Sequence, residues 1–217
     1  MKTKIFALPL LLVLAALLFG AGPAGAAVKT QCPTGSGGSF ADLNGDGIIR
    51  ADTVVNGKSE IVNPVSPNQV CMHLTGGDGF AVMANDDRHS QYTFGFANVT
   101  YLFDGVKKDP DSLVMNAGML AAEWSAPTIA LEQNDEFYLT LTNVGMPMRP
   151  DLFDPHSVHY HGLPHSTNIF DGLPERGIMI NMGASITYYY KNNDPGTYIY
   201  HCHVEATEHM EMGMIGN

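Results

Sequence analysis

Residues able to bind metal ions are concentrated near the end of this 217-residue sequence. Seven of the nine histidines fall between positions 156 and 209, and Cys202 lies among them. One segment reads HSVHYHG from His156, a second reads HCH from His201, and Met214 follows. Imidazole, thiolate and thioether groups are ligands that proteins use for transition metals. The sequence therefore predicts a metal site built from these segments.

Strand geometry sorts these residues into two groups, because alternate side chains of a strand point to opposite faces. In the HCH segment the two histidines share one face and Cys202 points the other way. In the HSVHYHG segment the last two histidines share a face, whereas His156 has the opposite parity. The first predicted group is therefore Cys202 and His156, joined from the following loop by His209 and Met214. The second predicted group comprises His159, His161, His201 and His203.

The first group contains one thiolate, two imidazoles and one thioether, which suits copper in a trigonal site with a weak axial methionine. Zinc sites do not use a thioether, and iron–sulfur clusters need more thiolates. The four imidazoles of the second group suit copper, zinc or iron, so they do not name their metal. Peptide bonds join Cys202 to both neighbouring histidines and would give electrons a short covalent route between the groups. Met210 and Met212 are alternative axial ligands or transient copper contacts.

Other residues of the same types are interpreted as structural. His73, His89 and His165 are predicted to lie at the surface. Six methionines are predicted to fill the core, as unbranched thioethers often do; they are Met115, Met119, Met146, Met148, Met179 and Met182. Glu205, Glu208 and Glu211 lie beside the predicted ligands. They are interpreted either as a solvated acidic loop or as groups that relay protons or attract a cationic substrate.

The elements that must position the two groups are predicted to be β-strands. Residues 91–103, 136–143, 185–191 and 197–203 are rich in aromatic and β-branched residues or alternate apolar with polar positions. No long amphipathic helix competes with them. The prediction is an all-β fold, a Greek-key sandwich, covering residues 91–217.

Two further segments are predicted before this domain. Residues 1–26 have two lysines, an apolar run and small residues at the end, which is typical of an export signal. Residues 27–90 are predicted to form a loop-rich extension, because Gly, Pro, Asn and Asp recur every few residues. An exported protein lies where disulfides persist, so Cys32 and Cys71 are expected to pair, the alternative being two buried thiols. The chain is accordingly expected in the periplasm or outside the cell.

A calcium site is one of two interpretations of the sequence DLNGDG. Asp42, Asn44 and Asp46 stand at the first, third and fifth positions of a calcium loop. The position expected for the bidentate acid holds Thr53, with Asp52 one residue short of it. The alternative interpretation is a tight turn with solvated carboxylates.

Charge excludes two classes of partner. The formal net charge is −11, which argues against binding to nucleic acid or to an anionic membrane surface. No segment after the export signal is apolar for long enough to span a membrane. Cationic partners, including metal ions, are favoured.

The two segments resemble the copper signatures of multicopper oxidases, the laccase-like enzymes built from cupredoxin domains. The resemblance rests on HSVHYHG, on PGTYIYHCHVEATEHMEMGM and on residues 126–129, which are similar to the family's opening strand. It covers residues 92–217 and not 27–90. By this resemblance the type 1 copper ligands are His156, Cys202, His209 and Met214. The ligands of type 2 and type 3 copper in a trinuclear centre are His159, His161, His201 and His203.

What the resemblance implies is a copper-dependent oxidoreductase that takes single electrons from a donor and reduces oxygen. The donor is expected to be a small molecule, a metal ion or a cytochrome. The trinuclear centre of the family lies between two domains, so this chain supplies half of it. A second copy in a homo-oligomer, or a second cupredoxin domain of a longer protein, would supply the rest. Family cupredoxins also continue into a final strand beyond this point.

Three other functions stay open. An electron carrier would use only the type 1 site, and a copper-binding or copper-tolerance protein would use the methionine-rich tail. Copper nitrite reductases share the fold but have an acidic residue where His159 stands, and they lack the second histidine of HCH.

Overall fold

The structure of this chain, a computed structural model, describes residues 32–82, 89–164 and 167–217. Strands dominate the described residues, so the predicted all-β class is confirmed. The predicted export signal and His165 lie outside the described residues. The strands are β1 (Thr34–Phe40), β2 (Ile49–Arg50), β3 (Val54–Val55), β4 (Lys58–Ser59), β5 (Ile61–Pro64), β6 (Gln69–Val82), β7 (Ser90–Asn98), β8 (Glu136–Gly145), β9 (His159–Tyr160), β10 (Ser185–Lys191), β11 (Tyr200–His201) and β12 (Ile215–Gly216).

The main sheet has the order β10-β8-β6-β2, with β7 also paired to β6. Strand β8 is antiparallel to β10 and parallel to β6. Its alternating residues Phe137, Leu139 and Leu141 are fully buried, as the period-two pattern predicts. Strand β10 has the predicted bounds and buries Tyr188 and Tyr190 on the same side.

Strand β6 differs from the prediction of a loop-rich extension over residues 27–90. It has 14 residues and lies between β8 and β7 in the main sheet, so the sheet crosses the predicted boundary at residue 90. Its glycines suggested a turn, but they allow close packing instead. A Cβ atom on Gly77 would lie 2.8 Å from the Gly145 carbonyl oxygen, and one on Gly79 would lie 2.7 Å from that of Ala122.

The N-terminal strands are tied to the main sheet by the predicted disulfide. Cys32 and Cys71 are bonded, which confirms that pairing. Closing the 39-residue loop restricts the unfolded chain and is worth about 3–4 kcal/mol on the chain-entropy model. A second small core surrounds the bond and includes Ile49, Ile61, Val99, Leu102, Phe103 and Val114.

The DLNGDG loop closes on its own carboxylates. Asp42 accepts hydrogen bonds from the backbone N–H groups of Gly45 and Gly47, at 2.7 and 3.1 Å. The Asn44 side chain accepts from the N–H of Asp46 and donates to its carboxylate. Burial raises the pKa of Asp42, and these N–H groups oppose that rise. The hydrogen bonds match the tight-turn interpretation, and calcium stays a prediction.

A small sheet carries the HSVHYHG and HCH segments. Its order is β12-β11-β9, and His159 lies directly opposite His201. Only Tyr200–His201 of the predicted strand 197–203 is regular strand. The small sheet packs on the main sheet through tyrosines, because the Tyr160 ring lies edge-on to that of Tyr190 with ring centres 5.1 Å apart. Within the small sheet, the Tyr160 ring is tilted against that of Tyr200 at 5.3 Å.

Two short α-helices lie among the described residues, α1 (Val114–Gly118) and α2 (Ala206–Met212), together with three 3-10 helices of three residues each. Helix α2 occupies the segment after Cys202 that was predicted to be a loop, and it carries His209. Gly213, with φ 126°, ends the helix in a conformation that side chains rarely adopt. Within the described residues, no helix has the length and hydrophobicity needed to cross a membrane.

The prediction that six methionines fill the core holds for Met146, which is buried, and in part for Met115, which is half-buried against the second small core. It is wrong for four others, because they lie in turns and loops outside the strand faces. These exposed methionines are Met119, Met148, Met179 and Met182.

Candidate metal centre

The first predicted group is brought together in the interior. The Nδ1 atom of His209 lies 3.2 Å from the Cys202 Sγ atom, and the rings of His156 and His209 are 5.2 Å apart. One donor atom from each of these three residues lies within 4.8 Å of the others. All three side chains, and that of Met214, are fully buried. The parity argument that placed His156 with Cys202 therefore matches the structure.

Backbone hydrogen bonds fix these residues at their positions. His156 exchanges both backbone bonds with Ile180, at 3.0 and 2.9 Å. The Cys202 N–H donates to the Met214 carbonyl, and the Met214 N–H donates to the His209 carbonyl. Helix α2 and the turn after it therefore return the chain to Cys202, which places His209 and Met214 beside the thiol.

Burial keeps the metal-binding groups in their uncharged forms. It lowers the pKa of His156 to about 3, with a smaller contribution from His209. It also lowers the pKa of His209, although Asp154 opposes this shift. Burial raises the pKa of the Cys202 thiol to about 11, opposed mainly by a hydrogen bond from the Ser157 backbone. The imidazoles are thus ready to bind a cation, whereas the thiol needs a cation to lose its proton.

The second predicted group lies on the other side of the HCH segment. The Nε2 atoms of His161 and His201 are 2.9 Å apart, and the His159 ring is 5.2 Å from His161 and 5.4 Å from His201. Donor atoms of these three histidines lie within 4.8 Å of one another. His203 is adjacent, its ring 5.1 Å from that of His159, but its donor atoms are not part of this convergence.

Carbonyl groups hold two of these rings so that their Nε2 atoms face the cluster. The Nδ1 of His159 lies 2.6 Å from the Asp171 carbonyl oxygen, and the Nδ1 of His201 lies 2.7 Å from that of Cys202. A ring that donates through Nδ1 presents Nε2 as the ligand, as is usual for metal-binding histidines. His161 is exposed and His203 half-buried, so this group opens to solvent.

The comparison with known proteins agrees with this geometry. A family model described as multicopper oxidase matches residues 107–217, just over half of the chain. The chain belongs to the multicopper oxidase family.

Individual multicopper oxidases are similar to this chain over part of their length. The multicopper oxidase MmcO of Mycobacterium tuberculosis is 37% identical over 78 residues, which are 36% of this chain and 14% of that protein. A solved multicopper oxidase superposes with a TM-score of 0.50 and 20% identity, covering 77% of this chain and 44% of that one. The blue copper oxidase of Nitrosomonas europaea is 26% identical, with a TM-score of 0.48, covering 68% of this chain and 37% of that one. The chain thus spans less than half of the length of each of these proteins. The superposition confirms the predicted cupredoxin-like fold.

Copper is the metal that the family implies, and the buried group fits it. Both ring nitrogens of His156 and the Nε2 of His209 are buried without a hydrogen-bond partner among the described residues. Such nitrogens are costly to bury unless something binds them. One thiol, two neutral imidazoles and a buried thioether are the donor set of a copper electron-transfer site. An ion bound there would remove the cost and lower the pKa of Cys202.

Carboxylates lie at the outer edge of the buried group. The His209 Nε2 atom is 3.6 Å from a buried oxygen of Asp154. Glu205 is exposed, and one of its oxygens lies within 4.8 Å of donor atoms of both residues. His209 thus faces Cys202 with one nitrogen and this acidic edge with the other.

Several residues of the centre were missed or misplaced by sequence reasoning. Asp154 is two residues from His156, and an acid so close to a predicted ligand was a usable signal. Asp171 contacts His159 through its backbone carbonyl as well as its carboxylate, and a backbone contact cannot be recognised from the residue type. His73 was predicted at the surface but is fully buried, with Nε2 2.7 Å from the Thr142 hydroxyl. His89 is exposed, as predicted.

Proposed function

We propose that this chain is the electron-accepting half of a copper-dependent oxidase, which oxidises a donor by single electrons and delivers them to oxygen. His156, Cys202, His209 and Met214 would hold a type 1 copper. His159, His161, His201 and His203 would hold half of a type 2 and type 3 cluster. Copper, when bound, accepts and releases single electrons. A second cupredoxin domain would supply the other four histidines, since the open face of this group leaves room for them.

One observation carries the proposal. Cys202 faces the buried group, while its two chain neighbours face the open group, where the rings of His201 and His203 lie 5.5 Å apart. Peptide bonds therefore join the thiol directly to both histidines. A protein that only stores or carries copper has no need for four histidines at the end of this path.

Several residues of the chain would hold the metal ligands in the protonation state and orientation that copper binding requires. Ser157 lowers the pKa of the buried Cys202 thiol, which favours the thiolate over the thiol. The carbonyls of Asp171 and Cys202 hold two imidazoles in the tautomer that leaves Nε2 free. Burial of the first group excludes water, which protects the thiolate from oxidation and keeps the ligands fixed.

The donor is proposed to approach His209 from the side of Asp154 and Glu205. These carboxylates favour a cation over a neutral molecule by their charge, as does the formal net charge of −11. A cuprous or ferrous ion, or a basic cytochrome face, meets this requirement. Oxidation of such donors should weaken as salt is added, because salt screens exposed charges.

Export is also proposed, on two grounds. Residues 1–26 are typical of an export signal, and the Cys32–Cys71 bond is of a kind that persists outside the reducing cytoplasm. Expression of the full chain with the mature N-terminus read by mass spectrometry tests this, and an uncleaved cytoplasmic product would refute it.

The direct test of the function is oxygen uptake by the copper-loaded full chain with ferrous ion as donor. We expect uptake in the fractions where two four-histidine faces meet, lost in Cys202→Ser and kept in His89→Ala, an exposed histidine outside both groups. Copper binding with no oxygen uptake at any protein concentration or in any oligomer would contradict the oxidase proposal and favour an electron carrier.

A further inference from the structure

One buried asparagine lies close to the segment that carries His156. Asn143 belongs to β8, is fully buried, and is paired with Gly76 of β6. The register of the two strands shifts directly after this pair, because Val144 has no partner on β6. A Cβ atom on Gly76 would lie 3.0 Å from the Cδ2 atom of His156. Asn143 is thus paired with the residue against which the His156 ring packs.

The Asn143 carboxamide is engaged in three hydrogen bonds, each with a backbone group. Its Nδ2 atom donates to the carbonyl of Asp154 at 2.9 Å and to that of Ile180 at 2.8 Å. Its Oδ1 atom accepts the N–H of Gly145, two residues along β8, at 2.8 Å. An amide has two N–H donors, and both are used here. The side chain therefore joins β8 to two segments outside the main sheet and holds its own strand in the bulged shape.

The two carbonyls lie beside residues of the buried group. That of Ile180 also accepts the N–H of His156 at 3.0 Å, so Asn143 and His156 are bonded to the same oxygen atom. Asp154 is two residues before His156, and one of its side-chain oxygens lies 3.6 Å from the Nε2 atom of His209. One carboxamide thus fixes the backbone that presents a predicted ligand and the backbone that presents the carboxylate beside a second ligand.

We propose that Asn143 is a positioning residue for the buried group, which sets the places of the His156 imidazole and the Asp154 carboxylate through backbone carbonyls. The proposal rests on the proposed function, since the group that it positions would hold the type 1 copper. The properties of such a site depend on ligand geometry, and its ligands must be held to within about 0.5 Å. A carboxamide suits this role, because neither a carboxylate nor a hydroxyl can donate to two carbonyls at once.

A second asparagine provides a matched control. Asn98 ends β7, and its Nδ2 atom donates to the Gly47 carbonyl at 2.8 Å. Its Oδ1 atom accepts the N–H of Thr100, two residues along the chain, at 3.0 Å. This asparagine makes the same two kinds of bond, but it fixes the DLNGDG loop and not the buried group. Replacing it therefore measures the effect of losing such bonds away from the metal ligands.

The test compares Asn143→Asp with Asn98→Asp in the copper-loaded full chain. Aspartate has the shape of asparagine and keeps the oxygen that accepts an N–H, but it has no N–H to donate to a carbonyl. Both variants should unfold at a lower temperature than the wild type. Only Asn143→Asp should shift the wavelength of the blue absorption and the copper hyperfine splitting in the EPR spectrum. A purely structural loss would lower the yield of blue protein and leave the spectrum unchanged.

A second readout needs no copper. Cys32 and Cys71 are bonded to each other, so Cys202 is the only thiol, and it is fully buried. Its reaction with a water-soluble aromatic disulfide in the copper-free chain reports how often the buried group opens. We expect Asn143→Asp to speed this reaction by about tenfold, because two hydrogen bonds are lost, and Asn98→Asp to leave it at the wild-type rate. Asn143→Ser and Asn98→Ser, which add no charge, give the same comparison if the aspartate variant does not fold.

Two results would overturn the role of Asn143. One is a folded Asn143 variant whose blue spectrum is that of the wild type. The other is a rate of thiol reaction that is equal in the Asn143 and Asn98 variants. The oxidase proposal can stand in either case. If no protein forms blue copper, the wild type included, the copper proposal fails, and the thiol reaction still decides whether Asn143 holds the buried group closed.

Discussion

The two predicted metal-binding groups of this chain differ in how complete they are. His156, Cys202, His209 and Met214 are fully buried, and the first three converge within 4.8 Å. The four histidines on the other face bring three donor atoms together, with His161 exposed and His203 half-buried. The first group is finished by this chain's own fold, whereas the second presents ligands outward. A closed group can hold its metal alone, while an open one depends on what covers it.

The difference follows from local structure. The buried group draws His209 from helix α2 and its other residues from segments outside the strands, and backbone hydrogen bonds from His156 to Ile180 and from Cys202 to Met214 fix it. The open group comes from β9, β11 and the residues just beyond their ends, at one face of a three-stranded sheet. Ligands from one face can surround only one side of a metal ion.

Loss of the thiol should have the largest effect. Cys202→Ser removes the only thiolate of the buried group, so the blue absorption should disappear and donor oxidation should stop. The open face should still bind copper, since its four histidines are unchanged. Absorption spectra and copper content of the variant check this. A blue band that survives in Cys202→Ser would show that the buried group is not the type 1 site.

Substitutions on the open face should give the opposite result. His161→Ala and His203→Ala should abolish oxygen uptake while leaving the blue absorption at its wild-type strength. Because His161 is exposed, replacing it should not disturb folding, so misfolding would not explain a loss of oxygen uptake in that variant. If both variants consume oxygen at the wild-type rate, the open face has no part in catalysis.

The buried group should make the copper-free chain sensitive to acid. Burial lowers the pKa of His156 from its ordinary 6.5 to about 3, and that of buried His73 likewise. A depressed pKa contributes stability above pH 6.5 that is lost as the pH falls toward 3. The free energy of unfolding should therefore drop over this range, by on the order of a few kcal/mol per histidine. Urea unfolding at several pH values measures it.

Variants separate the contributions of individual histidines to this dependence of the free energy of unfolding on pH. His156→Gln should reduce this pH dependence by the contribution of one titrating group. A wild-type stability that is constant from pH 6.5 to 4 would contradict the buried, neutral state of His156.

The carboxylate behind the open face should have a moderate effect. An oxygen of the Asp171 side chain lies 3.2 Å from the His159 Nδ1 atom, in addition to the carbonyl contact. Asp171→Asn keeps the carbonyl, so copper affinity of the open face should fall by about tenfold, the low end for such partners. Competition with a chelator measures this, and Asp194→Asn, a change at an exposed carboxylate, should have no effect. Equal copper affinities in Asp171→Asn and Asp194→Asn would show that the Asp171 carboxylate does not support copper binding on the open face.

Crowding of the buried group should have the smallest effect. A Cβ atom at Gly76 would lie 3.0 Å from the His156 Cδ2 atom, so the ring must move by a few tenths of an ångström. Gly76→Ala should cost about 1 kcal/mol of stability and shift the blue absorption, without changing copper binding on the open face. An unshifted spectrum would mean that His156 is not a ligand.

The parts of this molecule with strict periodicity could be predicted from the sequence. The alternation in residues 185–191 gave β10 its bounds, and parity alone separated His156 from His159. The prediction failed where tertiary contacts decide. The glycines of β6 were predicted to form a turn, because the sequence does not show that Gly145 and Ala122 pack closely against them. His209 was placed in a loop because the seven residues of α2 are too few for a helical pattern.

Residues that support the ligands were the hardest to predict. The shorter contact of Asp171 with His159 is made by a backbone carbonyl, which every residue type possesses. His73 was assigned to the surface because a lone histidine is polar, yet the Thr142 hydroxyl satisfies it in the interior. Such partners are set by the fold and not by the local sequence.

The central claim is that this chain completes one metal group alone and needs a second domain for the other. The most direct measurement is copper per chain and EPR-visible copper, in monomeric and assembled fractions of the copper-loaded protein. We predict about one tightly bound copper in the monomer, all of it visible with a type 1 signal. Additional, EPR-silent copper should appear only where two four-histidine faces meet. A monomer that holds EPR-silent copper, or that binds copper without a type 1 signal, would contradict the claim.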